Sequence, residues 1–192
     1  MDKKISLLVK NNLVLTPTAV AFAAVLATVV SGDMQYLFFA GLLVVVGLIN
    51  SASKSLTKSM SMFKNTGPRP STCGTNTGID CVGCGAFPGR EAKESWGMPS
   101  GHAQTTAFAA TYWTIYVIKK YNKDKKDGKK TSKGQMYGSI AAMWLLAIAV
   151  WIQRLYSKCH SLLQVIIGAL IGVGLGFLGY YASSKIFSHL PN

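Results

Sequence analysis

Two short clusters in this chain hold residues that could do chemistry. Pro99-Ser100-Gly101-His102 heads one apolar stretch, and Arg154 and His160 flank the short gap before the last. Two imidazoles so placed can divide the work on a phosphate ester or anhydride. One, neutral, attacks phosphorus while the other, protonated, donates to the departing oxygen. Arg69 and Arg154 offer planar forks suited to bidentate contact with phosphoryl oxygens. Ser100 and His102 fall where a helix would begin, and its free amides and dipole attract an anion. Gly101 lets the backbone approach closely. Ionisable groups are costly beside a bilayer, so those bordering apolar spans are functional candidates.

Five long stretches without a charged residue must position these groups: Leu13 to Val30, Met34 to Ser53, Ala103 to Ile118, Gln135 to Gln153 and Ser161 to Ser184. A spanning helix needs about 20 mostly apolar residues; four stretches suffice, and the third does once residues 100–102 supply its first turn. With 49% hydrophobic and 14% charged residues, the charge bunched into a few places, the chain does not read as a soluble domain. We expect an all-α, polytopic membrane bundle of about five transmembrane helices, one domain over residues 1–192, its site at one membrane face. The first stretch follows Lys3, Lys4 and Lys10 as a secretory signal would, but it has the length of a full span and runs almost at once into the second.

Two polar connections separate the spans. Residues 54–99 carry six basic residues, Cys73, Cys81 and Cys84, and turn signals at Gly67-Pro68 and Pro88-Gly89, so they read as a loop on the site face. Residues 119–133 carry eight lysines against Asp124 and Asp127 and read as a loop on the opposite face that touches anionic headgroups. Lysines without interleaved aromatics give no specific nucleic-acid surface, and no nucleic-acid partner is expected. Residues 54–99 follow the second span and residues 154–160 the fourth, so Arg69, His102, Arg154 and His160 emerge on one face and can converge.

Cys73, Cys81, Cys84 and Cys159 fall on that same face and suit disulfides in an oxidising compartment. Zinc is the runner-up, although Cys81-x2-Cys84 lacks a second half. Asp80, Glu91 and Glu94 are the long loop's whole carboxylate supply, which argues against a two-metal phosphatase; no metal or cofactor is expected. Gly168, Gly172 and Gly176 recur every four residues, as in close helix packing. Trp96, Trp113, Trp144 and Trp151 read as interfacial or packing residues and His189 as a headgroup contact.

These stretches resemble the type 2 phosphatidic acid phosphatase superfamily, whose motifs run Lys-x6-Arg-Pro, Pro-Ser-Gly-His and Ser-Arg-x5-His-x3-Asp. The second is complete at Pro99 to His102, and the third matches at Arg154 and His160. The resemblance implies a metal-independent mechanism in which His160 becomes a phosphohistidine and His102 is the general acid that later activates water. It also implies that Arg69, Arg154, a first-motif lysine and the Ser100-Gly101 backbone hold the phosphoryl oxygens. Strict spacing puts that lysine at Met62; Lys64, in a loop shortened by two residues, is assigned instead. Gln153 replaces the motif's serine, and Gln164 replaces the aspartate that orients the nucleophile. An amide still accepts a hydrogen bond from imidazole but cannot stabilise imidazolium with a full charge. Gln164, with Gly97-Met98-Pro99-Ser100, Gln104 and the run Arg154-Leu155-Tyr156 to His160, resembles the dolichyl diphosphate phosphatase branch, from which Gly101 departs where a second serine is usual.

The expected substrate is therefore a polyprenyl diphosphate or another lipid phosphate. A glycerolipid phosphate is the nearest alternative, and a catalytically silent lipid-phosphate binder is the alternative outside enzymology. The expected setting is the endoplasmic reticulum or another internal membrane, with the site facing lumen or exterior. If the site is built around an uncharged orienting amide, Gln164→Asp should leave turnover within about an order of magnitude, since geometry is kept and only charge is added.

Overall fold

The computed structural model describes residues 13, 15–70, 96–187 and 190, and among them the regular structure is helical. Helix α1 spans Thr16–Ser31 and is apolar throughout; Pro17 sits in its first turn, where no intrahelical amide is required. Gly32, with φ of +69°, ends it in a left-handed turn. Asp33 then caps α2, Met34–Ser59, by accepting from the Gln35 amide. A single 3-10 turn, Ser61–Phe63, follows. Helix α3, Gly101–Lys126, is capped by Ser100; α4, Lys133–Tyr156, by Ser132; and α5, Leu162–Ile186, by a Ser161/Gln164 capping box.

Three helices, α2, α4 and α5, are long and apolar enough to cross a membrane. Helix α1, at 16 residues, is shorter, and α3 carries His102, Gln104 and several threonines because it is the centre of the bundle. It packs most extensively on α5 and next on α4, and most residues from Ala103 to Tyr112 are buried. Phe39 of α2, Phe108 and Tyr112 of α3 and Tyr180 of α5 form an aromatic core. Large apolar side chains such as Val30, Leu145, Leu170 and Leu178 face outward, as expected of a bundle whose solvent is lipid.

Gly168, Gly172 and Gly176 lie against α3. A β-carbon on Gly168 would strike the Ser100 carbonyl, one on Gly172 the Gln104 carbonyl, and one on Gly176 would come within 2.6 Å of Thr111 Cβ. The expected small-residue packing is thus present, backbone against backbone. By contrast α4 and α5, though consecutive, scarcely touch. Between them opens an apolar cavity of about 400 Å³, lined by Trp151, Leu155, Leu162, Val165, Ala169 and Val173 among others. The Trp151 indole is fixed there by donating to Thr106 Oγ1 on α3 at 2.9 Å.

The expected loops are shorter than their charge suggested. Helix α2 continues through Ser59, so residues 54–59 are helical, and α3 continues through Lys126, leaving only residues 127–132 non-helical in the lysine-rich connection. Lysine is a good helix former, and a helix that leaves the bilayer has no reason to end there. Lys120 and Asp124 brace the extension as an i,i+4 pair at 3.1 Å. Cys73, Cys81, Cys84, Asp80, Glu91, Glu94, His189 and the amino-terminal lysines lie outside the described residues.

Candidate active site

The site gathers at the end of the bundle where α2 and α4 finish and α3 and α5 begin. After α4, Lys158 adopts a left-handed conformation, φ +52°, and turns the chain back so that the Cys159 and His160 amides both donate to the Arg154 carbonyl, at 3.1 and 3.4 Å. This closure places Arg154 and His160 side by side. Arg154 is fully buried, and its Nε donates to Gln153 Oε1, while Gln153 Nε2 donates to Ser157 Oγ at 3.0 Å. The glutamine that stands where the motif has serine therefore steers the arginine.

His160 is buried. Its Nδ1 lies 3.1 Å from the Gly97 carbonyl and 3.1 Å from Gln164 Oε1, both acceptors, so this nitrogen carries the proton. The other, Nε2, is left with its lone pair and faces Arg69 Nη1 at 3.4 Å. Arg69 Nη1 also donates to the Cys159 carbonyl at 3.0 Å. Burial first, then the positive charges of Arg69, Lys54 and His102, hold the His160 imidazole well below the ordinary histidine range, with the Gln164 hydrogen bond opposing them. A neutral imidazole with a defined bare nitrogen is the form a nucleophile requires.

Ser100 starts α3 by accepting from the Ala103 amide at 3.4 Å, and its own amide donates to the Gln164 carbonyl at 3.0 Å. His102 is partly exposed in the first turn, near enough for its charge to act on His160. Arg69 enters from the loop after α2, and its charge is felt by Lys54, Arg154 and His160. Burial lowers the Arg69 guanidinium from its usual value. Its Nε is buried without a hydrogen-bond partner among the described residues. The described acids, Asp33, Asp124 and Asp127, all sit at the α1–α2 and α3–α4 turns on the far end. Cations and helix-start amides, with no carboxylate at this end among the described residues, make a site for a multiply charged anion.

The convergence expected of Arg69, Ser100, Gly101, His102, Arg154, His160 and Gln164 is thus observed. Lys64 is different. It is exposed beyond the 3-10 turn, whereas Lys54, five residues before the end of α2, is partly buried, feels the Arg69 charge and acts on His160. The structure brings Lys54, rather than the expected Lys64, up to Arg69 and His160, because α2 runs farther than expected. The available signal was its position as the first charge after the second apolar stretch. A supporting layer was also missed. Asn50 donates to Gln104 Oε1 at 2.8 Å and to the Pro99 carbonyl at 3.4 Å; Thr57 accepts from the Trp96 indole at 2.9 Å and donates to the Met98 carbonyl at 2.9 Å. Trp96 is therefore a packing residue of the site. Cys159, next to the nucleophile position, is disulfide-bonded. No group of three or more metal-ligating side chains occurs among the described residues.

The sequence profile of the PAP2 superfamily matches residues 35–188. Dolichyldiphosphatase 1 of Dictyostelium discoideum is 34% identical over 95 residues, 50% of this chain. The match spans only 39% of that relative's length. No solved structure matches the chain.

Proposed function

Because the chain belongs to the PAP2 superfamily, we propose that it hydrolyses a lipid phosphate at the bilayer surface, with a polyprenyl diphosphate of the dolichyl type as substrate. The observation that carries the reading is the state of His160: neutral, Nδ1–H donated to fixed acceptors, Nε2 unprotonated and accepting from the Arg69 guanidinium. In the first step Nε2 bonds to the terminal phosphorus and the bridging P–O bond breaks. The departing lipid monophosphate oxygen takes a proton from His102. In the second, water attacks the phosphohistidine, His102 takes its proton, the N–P bond breaks and inorganic phosphate leaves. Arg69, Arg154, Lys54 and the amides at the start of α3 hold the non-bridging oxygens and offset their growing charge without a metal ion.

Two features support a lipid substrate on this face. The apolar cavity between α4 and α5 begins at Leu155 and Leu162, one residue past Arg154 and two past His160, and descends to Val173, so a hydrocarbon chain can lie below a phosphate held at the site. Its length along α5 is roughly 16 Å at the helical rise, about half the hydrocarbon thickness. The disulfide at Cys159 supports a site facing an oxidising compartment, such as the lumen of the endoplasmic reticulum.

Phosphate release by the purified protein in detergent, with a strong chelator present, tests the proposal. A polyprenyl diphosphate should be cleaved, and faster than phosphatidate, because a diphosphate leaving group needs less help. Equal or reversed preference would remove the diphosphate reading, and complete loss with chelator, restored by magnesium, would remove the mechanism.

A further inference from the structure

Gln164 is fully buried and bonded on every side. Its Oε1 accepts from His160 Nδ1 at 3.1 Å and from the Ser161 amide at 3.3 Å. Its Nε2 lies 2.9, 3.2 and 2.8 Å from the carbonyls of Thr66, Gly67 and Pro68, so two amide hydrogens are shared among three backbone acceptors. Its main-chain carbonyl accepts from the Ser100 amide. These contacts settle the orientation of the amide, since three carbonyls can face only the NH2 side. They also show what the local backbone is built for. A β-carbon on Gly97 would fall on Gln164 Oε1, and one on Gly67 would fall inside the Trp96 ring. The Gly97 amide donates to the Gly67 carbonyl at 2.8 Å, pairing the two segments that enclose the glutamine.

Beyond orienting His160, the role its place in the motif implies, we propose that Gln164 is a positioning residue for Arg69: its amino group holds the 66–68 turn that delivers the arginine, so that one side chain ties Arg69 and His160 into a single geometry. The inference rests on the phosphatase reading above. An acceptor-only side chain could serve His160 but not the 66–68 turn. A carboxylate of the same length would aim negative charge at three carbonyl oxygens and release the turn, and aspartate, one methylene shorter, would also draw back from it. The sequence expectation that Gln164→Asp is nearly harmless counted one partner of the amide and is reversed by the other three.

The test uses the full-length protein in detergent with the polyprenyl diphosphate, after phosphate release by the unaltered protein has been established; failure at that stage refutes the phosphatase reading and not this one. Gln164→Glu should keep the His160 hydrogen bond while loosening Arg69. KM should rise about ten-fold or more, matching a lost charge-assisted contact. The acid limb of kcat/KM should move to higher pH, because a carboxylate beside imidazole favours its protonation. In an Arg69→Ala background the same exchange should add little to KM, since the contact through which it acts is already gone. Unchanged KM and an unmoved acid limb, or full additivity with Arg69→Ala, would overturn the proposal. If Gln164→Glu does not fold, Gln164→Asn gives the second reading: it keeps the neutral amide but shortens its reach, so KM should again rise, and a KM like that of the unaltered protein is equally fatal.

Discussion

Arg69 Nη1 lies 3.4 Å from His160 Nε2, a fixed cation against the ring nitrogen that holds the lone pair. With the proton on Nδ1, Nε2 accepts from the guanidinium, so a phosphoryl group that reaches Nε2 must take this contact over. Burial first, then the Arg69 and Lys54 charges, keep the proton off the imidazole.

This relationship gives a pH prediction. The His160 value lies well below the ordinary 6.5, so the ring stays neutral as pH falls through 6.5 and gains its proton only at lower pH. The acid limb of kcat/KM, which reports the free enzyme, should therefore lie well below 6.5. Removing the positive neighbour acts in the opposite sense, so Arg69→Gln should move that limb upward. A pH–rate profile of both proteins checks it, and a limb at or above 6.5 in the unaltered protein contradicts the assignment.

The two histidines should fail differently. His160→Ala removes the attacking nitrogen, and no phosphoenzyme should form. His102→Ala removes only the proton donor, which should slow formation about 100 to 10,000-fold. Rapid-quench labelling with a phosphorus-labelled substrate distinguishes them; acid-labile, base-stable label persisting in His160→Ala would show that the nucleophile lies elsewhere.

Lys54 and Lys64 should separate cleanly. Loss of a charge-assisted contact is worth about 1.5–3 kcal/mol, so Lys54→Ala should lower kcat/KM by roughly 10 to 100-fold. Lys64→Ala, at an exposed position, should change it by no more than about two-fold. Side-by-side kinetics on the two variants suffice, and the reverse ranking would restore Lys64 to the site.

Gly101 carries a prediction through Asn50. A β-carbon at 101 would sit 2.9 Å from Asn50 Oδ1, and that side chain is held by Gln104 and the Pro99 carbonyl. Gly101→Ser should therefore strain a buried polar network and cost about 1–3 kcal/mol, read as a lower melting midpoint. Asn50→Ala alone should also destabilise, but in the Gly101→Ser background it should cost less, because it makes room. Strict additivity of the two changes would refute the link.

The sequence disclosed the helices and the site to different depths. Charge-free stretches located the helices, because bilayer burial forbids isolated charges. The helix ends were not legible, since residues 54–59 and 119–126 are charged yet helical. The same ambiguity hid Lys54 behind Lys64. His102, Arg154 and His160 were legible from type and spacing, whereas the amino side of Gln164 was not: its partners at 66–68 are nearly a hundred residues away, and backbone carbonyls leave no trace in residue identity. Gln153 was noticed as a departure, but its grip on Arg154 depends on a rotamer.

The seam where Gly168, Gly172 and Gly176 meet α3 bears on how this chain can drift in sequence. Part of α5 faces outward, where one apolar side chain can replace another at little cost. Along one edge that freedom vanishes, because a single methyl group at 168 would press on the Ser100 carbonyl and lever the first turn of α3 away from His160. The most hydrophobic helix of the protein thus combines its most permissive surface with one of its least permissive, and random mutagenesis of α5 should return inactive clones at every fourth position.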